Sequence, residues 1–222
     1  NMCTMLGFIT TDINISKELL LKTLREDVAD TFNMVSVDGD TSTNDSLIIL
    51  ANGMAKNDKI VSEDSGDYKI FKQALNHITT TMSKMIAGDG EGATALFEVT
   101  VKGAKTKEAA KTLAKSVVTS SLTKAAIFGH DANWGRILCA LGYSGEKFDP
   151  DNMELYFESE AGSILIYKDG VSVGFDENEA KKILSSKEVT ALIVLHMGEE
   201  SGTAWGCDLS FDYVKINADY RS

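Results

Sequence analysis

Gly88-Asp89-Gly90-Glu91-Gly92-Ala93-Thr94-Ala95-Leu96-Phe97-Glu98-Val99-Thr100-Val101-Lys102 changes its structural period halfway along. Three glycines in five positions cannot sustain a helix, so whatever helix precedes Gly88 must end there. From Phe97 onward the apolar residues Phe97, Val99 and Val101 alternate with Glu98, Thr100 and Lys102, the period of a strand with one face on a core. Upstream, Phe71, Leu75, Ile78, Met82 and Met85 recur at helical spacing and predict a long helix over Ser65 to Ala87. Downstream, the Ala- and Lys-rich stretch Lys107 to Ser121 predicts another. The centre of the chain thus reads helix, glycine loop, strand, helix.

The same reading extends to both ends. Ser16, followed by Leu19, Leu20 and Leu24, caps a predicted amphipathic helix running to about Phe32. A polar block, Val37 to Asp45, leads into a short buried strand at Leu47 to Leu50, and Trp134 to Leu141 predicts a further helix. The C-terminal third alternates at Leu155 to Phe157, Ser163 to Tyr167 and Val171 to Phe175, with Asp169-Gly170 as a hairpin turn. A short helix, Glu177 to Leu184, precedes two predicted strands, Val189 to His196 and Ala204 to Val214. This order predicts an α/β (α+β) fold with helices layered on largely antiparallel sheets.

Composition narrows the function. The net charge of −11 has the wrong sign for neutralising phosphates, which argues against a nucleic-acid partner. The longest apolar runs, Leu47 to Ala51 and Ala191 to Leu195, are too short to cross a bilayer, and no charged-then-apolar leader opens the chain. Cys3, Cys139 and Cys207 are odd in number and widely spaced, so a reducing cytoplasm is the expected compartment. Asn1 is not a translation start, and a piece of a longer precursor is expected.

Several familiar signatures fail. Gly88-x-Gly90-x-Gly92 follows a helix where a dinucleotide fingerprint follows a strand. Asp38-x-Asp40-x-Ser42 begins like a calcium loop but has Thr43 where glycine and Ile49 where glutamate are needed. His77, His130 and His196 are scattered without zinc spacing, and no metal site is expected. Four segments remain richer in reactive side chains than packing requires: Thr4 with its flanks, Asp38 to Asp45, Asp89 to Thr94, and Asn217 to Ser222.

Taken together these segments resemble the ornithine acetyltransferase (glutamate N-acetyltransferase) family. The matching blocks are Thr4 to Asp12, Val37-Asp38-Gly39-Asp40-Thr41-Ser42-Thr43-Asn44-Asp45, Asn52-Gly53, Asp89 to Thr94 and Gly129 to Arg136. The match continues through Trp205 to Leu209 and Ile216 to Ser222, in the family's order and across essentially the whole chain. Two positions depart from the family pattern: Cys3 stands where alanine is usual, and Ala95 where lysine is frequent.

The resemblance implies that residues 1–222 form the beta-chain part of one unit completed by a separate N-terminal alpha chain. It implies an αββα-type sandwich resembling N-terminal-nucleophile hydrolases, with a smaller C-terminal α/β lobe. Self-cleavage at Cys3–Thr4 would free Thr4, whose hydroxyl would carry the acetyl group in a ping-pong transfer from N-acetylornithine to glutamate. An α-amine with an ordinary pKa of about 7.7 to 8.0 can serve as the base for that hydroxyl. Glu91, Asn217 and Ser222 match substrate contacts, Thr4 itself being the fourth. The oxyanion donors, a Thr-Gly pair, and a substrate-binding lysine lie in the alpha chain. The implied assembly is a heterotetramer of two alpha and two beta chains, without a bound cofactor, and with acetyl-CoA open as a co-substrate. The fold likeness also leaves open an N-terminal-nucleophile amidase or aminopeptidase, or an acyltransferase paralogue with other substrates. The Asp38 to Asp45 block, Trp134 and Arg136 read as architectural.

Overall fold

A computed structural model of the chain describes residues 4–219. Cys3 and Ser222, expected at the scissile bond and in the substrate site, lie outside the described residues. The chain divides into two compact units, residues 4–33 with 39–83, and residues 34–38 with 84–219.

In the first unit, β1 (Leu6–Thr11) and β2 (Ser46–Ala51) pair in parallel, Leu6 opposite Ser46 and Thr11 opposite Ala51. Parallel neighbours need a crossover, and α1 (Lys17–Asp30) supplies it. Ser16 caps α1 as its sequence predicts, its side chain accepting from the Leu19 amide at 3.3 Å. Helix α2 (Gly66–Gly88) begins here, and the core forms from Ile9, Phe71 and Leu75 with Leu20, Leu47, Ile49 and Met82 around them. The buried Asp27 of α1 is satisfied by α2, accepting from Asn76 Nδ2 at 2.8 Å and Thr79 Oγ1 at 2.5 Å. A buried carboxylate without such donors would cost several kcal/mol, so these bonds fix how the two helices meet. The outward face of the small sheet is different: Leu6, Phe8, Ile48 and Leu50 are exposed, Phe8 at 65%.

The second unit is built on one six-stranded sheet in the order β6-β5-β4-β7-β3-β8. Its strands are β3 (Leu96–Ala104), β4 (Glu154–Ser159), β5 (Gly162–Lys168), β6 (Val171–Ser172), β7 (Glu188–Val194) and β8 (Glu200–Cys207). The C-terminal strands do not stand apart, because β3 is bonded to β7 on one side and β8 on the other. Phe97, Val99 and Val101 are fully buried, as their alternation predicts. Helices α3 (Lys107–Thr119) and α6 (Glu177–Leu184) cover the sheet, α3 on β3 and β8, α6 on β4 and β5. Helix α5 (Trp134–Gly142) packs against α3.

The α/β class holds, with three corrections. The small sheet is parallel and the large one is mixed, because β3–β7 is parallel while its other described pairings run antiparallel as expected. The helix predicted over Lys107 to Ser121 stops at Thr119, where Ser120 adopts an extended backbone and caps a second helix, α4 (Ser121–Phe128). The strand predicted over Ala204 to Val214 ends at Cys207, and Phe211–Asp219 is helix α7. Ser210 causes that change, since its hydroxyl accepts from the Tyr213 amide at 3.2 Å and starts the helix.

Lys115 gives the second unit a pH response. Its ammonium donates to the Val35 carbonyl at 2.5 Å, and burial lowers its pKa from 10.5 to about 8. Between those values the unfolded chain holds a proton that the folded chain has released, so stability should rise with pH across this window. Urea unfolding of wild type at pH 8 and pH 10 should show that rise, and Lys115→Met should lose most of it. Parallel curves for the two proteins would refute the assignment.

Candidate functional site

The site residues expected from sequence fall in both units. In the first, Thr4 stands just ahead of β1 with φ of 54°, in the left-handed region. For a β-branched residue this is a genuine outlier, costing roughly 1–2 kcal/mol, and it has to be held by its neighbours. The polar block supplies them. Asp45 Oδ1 accepts from the Met5 amide at 2.7 Å, and the Ser46 amide donates to the Met5 carbonyl at 2.8 Å. The Thr4 hydroxyl lies 3.0 Å from Ser42 Oγ, which in turn accepts from the Asn44 amide at 3.1 Å. Thr4 is therefore exposed, strained and hydrogen-bonded through its side-chain hydroxyl. Ser42 and Asp45, read from sequence as part of an architectural turn, prove to touch the candidate nucleophile and its neighbour. Their contacts cross 38 and 40 residues, beyond the reach of a local pattern.

In the second unit the structure brings Glu91 and Asn217 together, 126 residues apart in the chain. Asn217 Nδ2 donates to Glu91 Oε2 at 2.7 Å and to the Tyr213 carbonyl at 3.0 Å. With both amide hydrogens engaged, Asn217 Oδ1 and the second Glu91 oxygen are both acceptors. Two acceptors, one of them charged, suit an ammonium group.

The loop carrying Glu91 is shaped by what lies behind it. Gly90 has no room for a side chain, since a Cβ there would stand 2.7 Å from Cys207 Sγ. Gly92 has φ of +67°, and a Cβ would meet the Tyr213 amide nitrogen at 2.5 Å. The buried Asp208 accepts from the Thr94 amide at 2.8 Å, Thr94 Oγ1 at 2.6 Å and the Ala95 amide at 3.1 Å. Tyr213 donates its hydroxyl to Asp38 Oδ2 at 3.0 Å. Beneath the loop, the buried Lys124 ammonium donates to the Cys207 carbonyl and lies 3.6 Å from the Cys207 sulfur. Burial lowers the Lys124 pKa and raises that of the Cys207 thiol, so both are pushed toward their neutral forms.

The Gly129 to Arg136 block keeps an architectural role: Asn133 caps α5, the Arg136 guanidinium donates to the Leu122 carbonyl, and Trp134 stacks on Tyr167 with ring centres 5.3 Å apart. Among the described residues no cluster of His, Cys, Asp or Glu is arranged to hold a metal ion. No helix there is long and apolar enough to cross a membrane.

The family model that matches this chain, described as the ArgJ family, covers residues 1–222. The chain belongs to the ArgJ family. It is 54% identical over all 222 residues to the arginine biosynthesis bifunctional protein ArgJ 1 of Clostridium acetobutylicum and 50% identical to the ArgJ of Thermotoga neapolitana. It spans about half the length of these relatives, 54% and 56%. The crystal structure of the ArgJ protein from Bacillus halodurans matches 98% of the chain and all of that structure's chain, with a TM-score of 0.93 and 44% identity. This agreement fixes the α/β sandwich class for the ArgJ fold described above.

Proposed function

We propose that this chain is the nucleophile-bearing half of an ornithine acetyltransferase of arginine biosynthesis. Thr4 Oγ1 takes acetyl from N-acetylornithine and passes it to glutamate. The observation that carries the reading is the state of Thr4: exposed, in a left-handed backbone, with its hydroxyl already hydrogen-bonded to Ser42.

That strain has a direction. The φ torsion of Thr4, at 54°, turns about the bond next to the one that would be cut, so cleavage at Cys3–Thr4 leaves that backbone free to relax. About 1–2 kcal/mol held in the uncut chain would be released by cleavage. In that cleavage Thr4 Oγ1 attacks the Cys3 carbonyl, the acyl group shifts from nitrogen to oxygen, and water hydrolyses the ester to a Cys3 carboxylate, leaving a free Thr4 α-amine as the base that the hydroxyl needs. The Thr4 oxygen then attacks the acetyl carbonyl of N-acetylornithine, the amine takes the hydroxyl proton, and that proton leaves on the ornithine nitrogen. The acetyl group is left on Thr4 as an ester. Glutamate's amine attacks this ester, the Thr4 oxygen departs with its proton restored, and N-acetylglutamate is released. Glu91 and Asn217 contribute acceptors for the substrate's ammonium group. Nucleophile and base are both protein groups, so the transfer asks for no bound cofactor. Acetyl-CoA would load the same oxygen.

The partner in this reading is the preceding half of the precursor, two copies of each chain forming the enzyme. A two-stranded sheet is marginal by itself, and Leu6, Phe8, Ile48 and Leu50 offer an apolar face for more strands or helices. Both described cysteines are free thiols, as a cytoplasmic enzyme would keep them. The test is mass analysis of the full precursor, denatured and native, with and without N-acetylornithine. A chain beginning at Thr4 should gain one acetyl group, lose it when glutamate is added, and travel with its N-terminal partner. Loss of acetyl to water at the same rate without glutamate would favour an amidase. A chain that is never acetylated would sink the mechanism.

A further inference from the structure

We propose that Ser210 is the positioning residue of the Glu91–Asn217 pair, an inference that rests on reading those two side chains as substrate contacts. Glu91 and Asn217 are both exposed, one on a glycine loop and one near the end of a nine-residue helix. A single surface hydrogen bond does not outweigh the rotameric freedom of two such side chains, so their register must be set from below.

One hydroxyl spans both supports. Ser210 Oγ donates to the Gly92 carbonyl at 2.6 Å and accepts from the Tyr213 amide at 3.2 Å. The first bond grips the residue next to Glu91. The second caps α7, whose Tyr213 carbonyl accepts from Asn217 one turn later. Ser210 is itself buried, which strengthens both bonds relative to the exposed Glu91–Asn217 contact above them. The two roles need a group that donates and accepts at the same atom, which Ser and Thr provide and Ala does not. Asp208 secures the far end of the loop through Thr94 and Ala95, so the loop's remaining freedom lies at Glu91 to Gly92, where Ser210 holds it.

The experiment uses the full precursor and four variants: Ser210→Ala, Ser210→Thr, Glu91→Gln, and the Ser210→Ala/Glu91→Gln double variant. Ser210→Ala should raise KM for N-acetylornithine about tenfold, with kcat changed by less than about threefold, and Ser210→Thr should restore KM. In the Glu91→Gln background, Ser210→Ala should add clearly less than its tenfold effect on wild type, because the part that passes through Glu91 is already lost. A lowered melting temperature with unchanged KM, while Glu91→Gln raises KM, overturns the positioning role alone. So does a Ser210→Ala effect that multiplies in full onto Glu91→Gln. An unchanged KM in Glu91→Gln overturns the substrate-contact reading first and takes the proposal with it.

Discussion

Replacing Thr4 with alanine should reduce acetyl transfer to glutamate by a factor on the order of a thousand or more, with the fold intact. Loss of a nucleophile removes the covalent route altogether, and what survives is the catalysis that binding and oxyanion donors supply alone. The structure allows this to be separated from a packing effect. Thr4 is exposed, and its side chain is hydrogen-bonded to Ser42, itself a partly exposed residue of the loop. Alanine therefore removes no core contact, and the melting temperature should move by no more than a few degrees. Thr4→Ser keeps the oxygen and should keep both cleavage and transfer, at a reduced rate. On the proposed mechanism the same hydroxyl opens the Cys3–Thr4 bond, so the Thr4→Ala precursor should also stay uncut. The decisive comparison is the rate of acetyl transfer beside intact mass for the three proteins. Transfer above about one part in a hundred in Thr4→Ala, from a correctly folded protein, would remove Thr4 from the mechanism.

Much of this architecture was readable where short-range physics dominates. The helical spacing of Phe71 to Met85, the alternation from Phe97 to Lys102 and the Ser16 cap all recur in the fold, because each is set by periods of 3.6 or 2 residues or by a single side chain. The errors have equally specific causes. Phe211 and Tyr213 continue an alternation that starts in β8, so period alone carries the strand through Val214. The Ser210 hydroxyl ends that pattern by accepting from the Tyr213 amide, a local bond to which a period-2 alternation is blind. The parallel pairing of β3 with β7 joins residues more than ninety apart, which no local pattern encodes.

The candidate site divides the same way. Thr4, Glu91 and Asn217 are legible only through the family resemblance, since a threonine, a loop glutamate and an asparagine carry no signature of their own. That Ser42 would meet Thr4, that Asp208 and Ser210 would stand behind Glu91, and that Glu91 would meet Asn217 are consequences of tertiary closure. The glycines are an intermediate case. Their clustering at 88, 90 and 92 ends the helix, as the sequence predicts, but only tertiary closure brings Gly90 against the Cys207 side chain and Gly92 against the α7 backbone.

Gly92 shows how much depends on that approach, and Gly92→Ala should be among the most damaging single changes in the second unit. Two penalties add. The backbone at φ of +67° costs an L-residue roughly 1–2 kcal/mol. The new Cβ would also lie 2.5 Å from the Tyr213 nitrogen and 2.8 Å from the Asp212 carbonyl carbon, both backbone atoms that no rotamer change can move aside. Relief requires the loop and the start of α7 to separate, at a further cost of about 1–3 kcal/mol by analogy with overpacked cores. That separation stretches the Ser210–Gly92 bond and parts Glu91 from Asn217, so KM for N-acetylornithine should rise by at least about tenfold while the protein loses on the order of 2–5 kcal/mol. Gly88→Ala is the matched control. It lies at the end of α2, where a Cβ meets only Leu96 Cβ at 3.7 Å, an ordinary contact, and alanine favours helix by about 1 kcal/mol. Urea denaturation and KM measured side by side read both effects. If Gly92→Ala proved as stable as Gly88→Ala with an unchanged KM, the loop and helix would not be held in the contact on which the substrate pair depends.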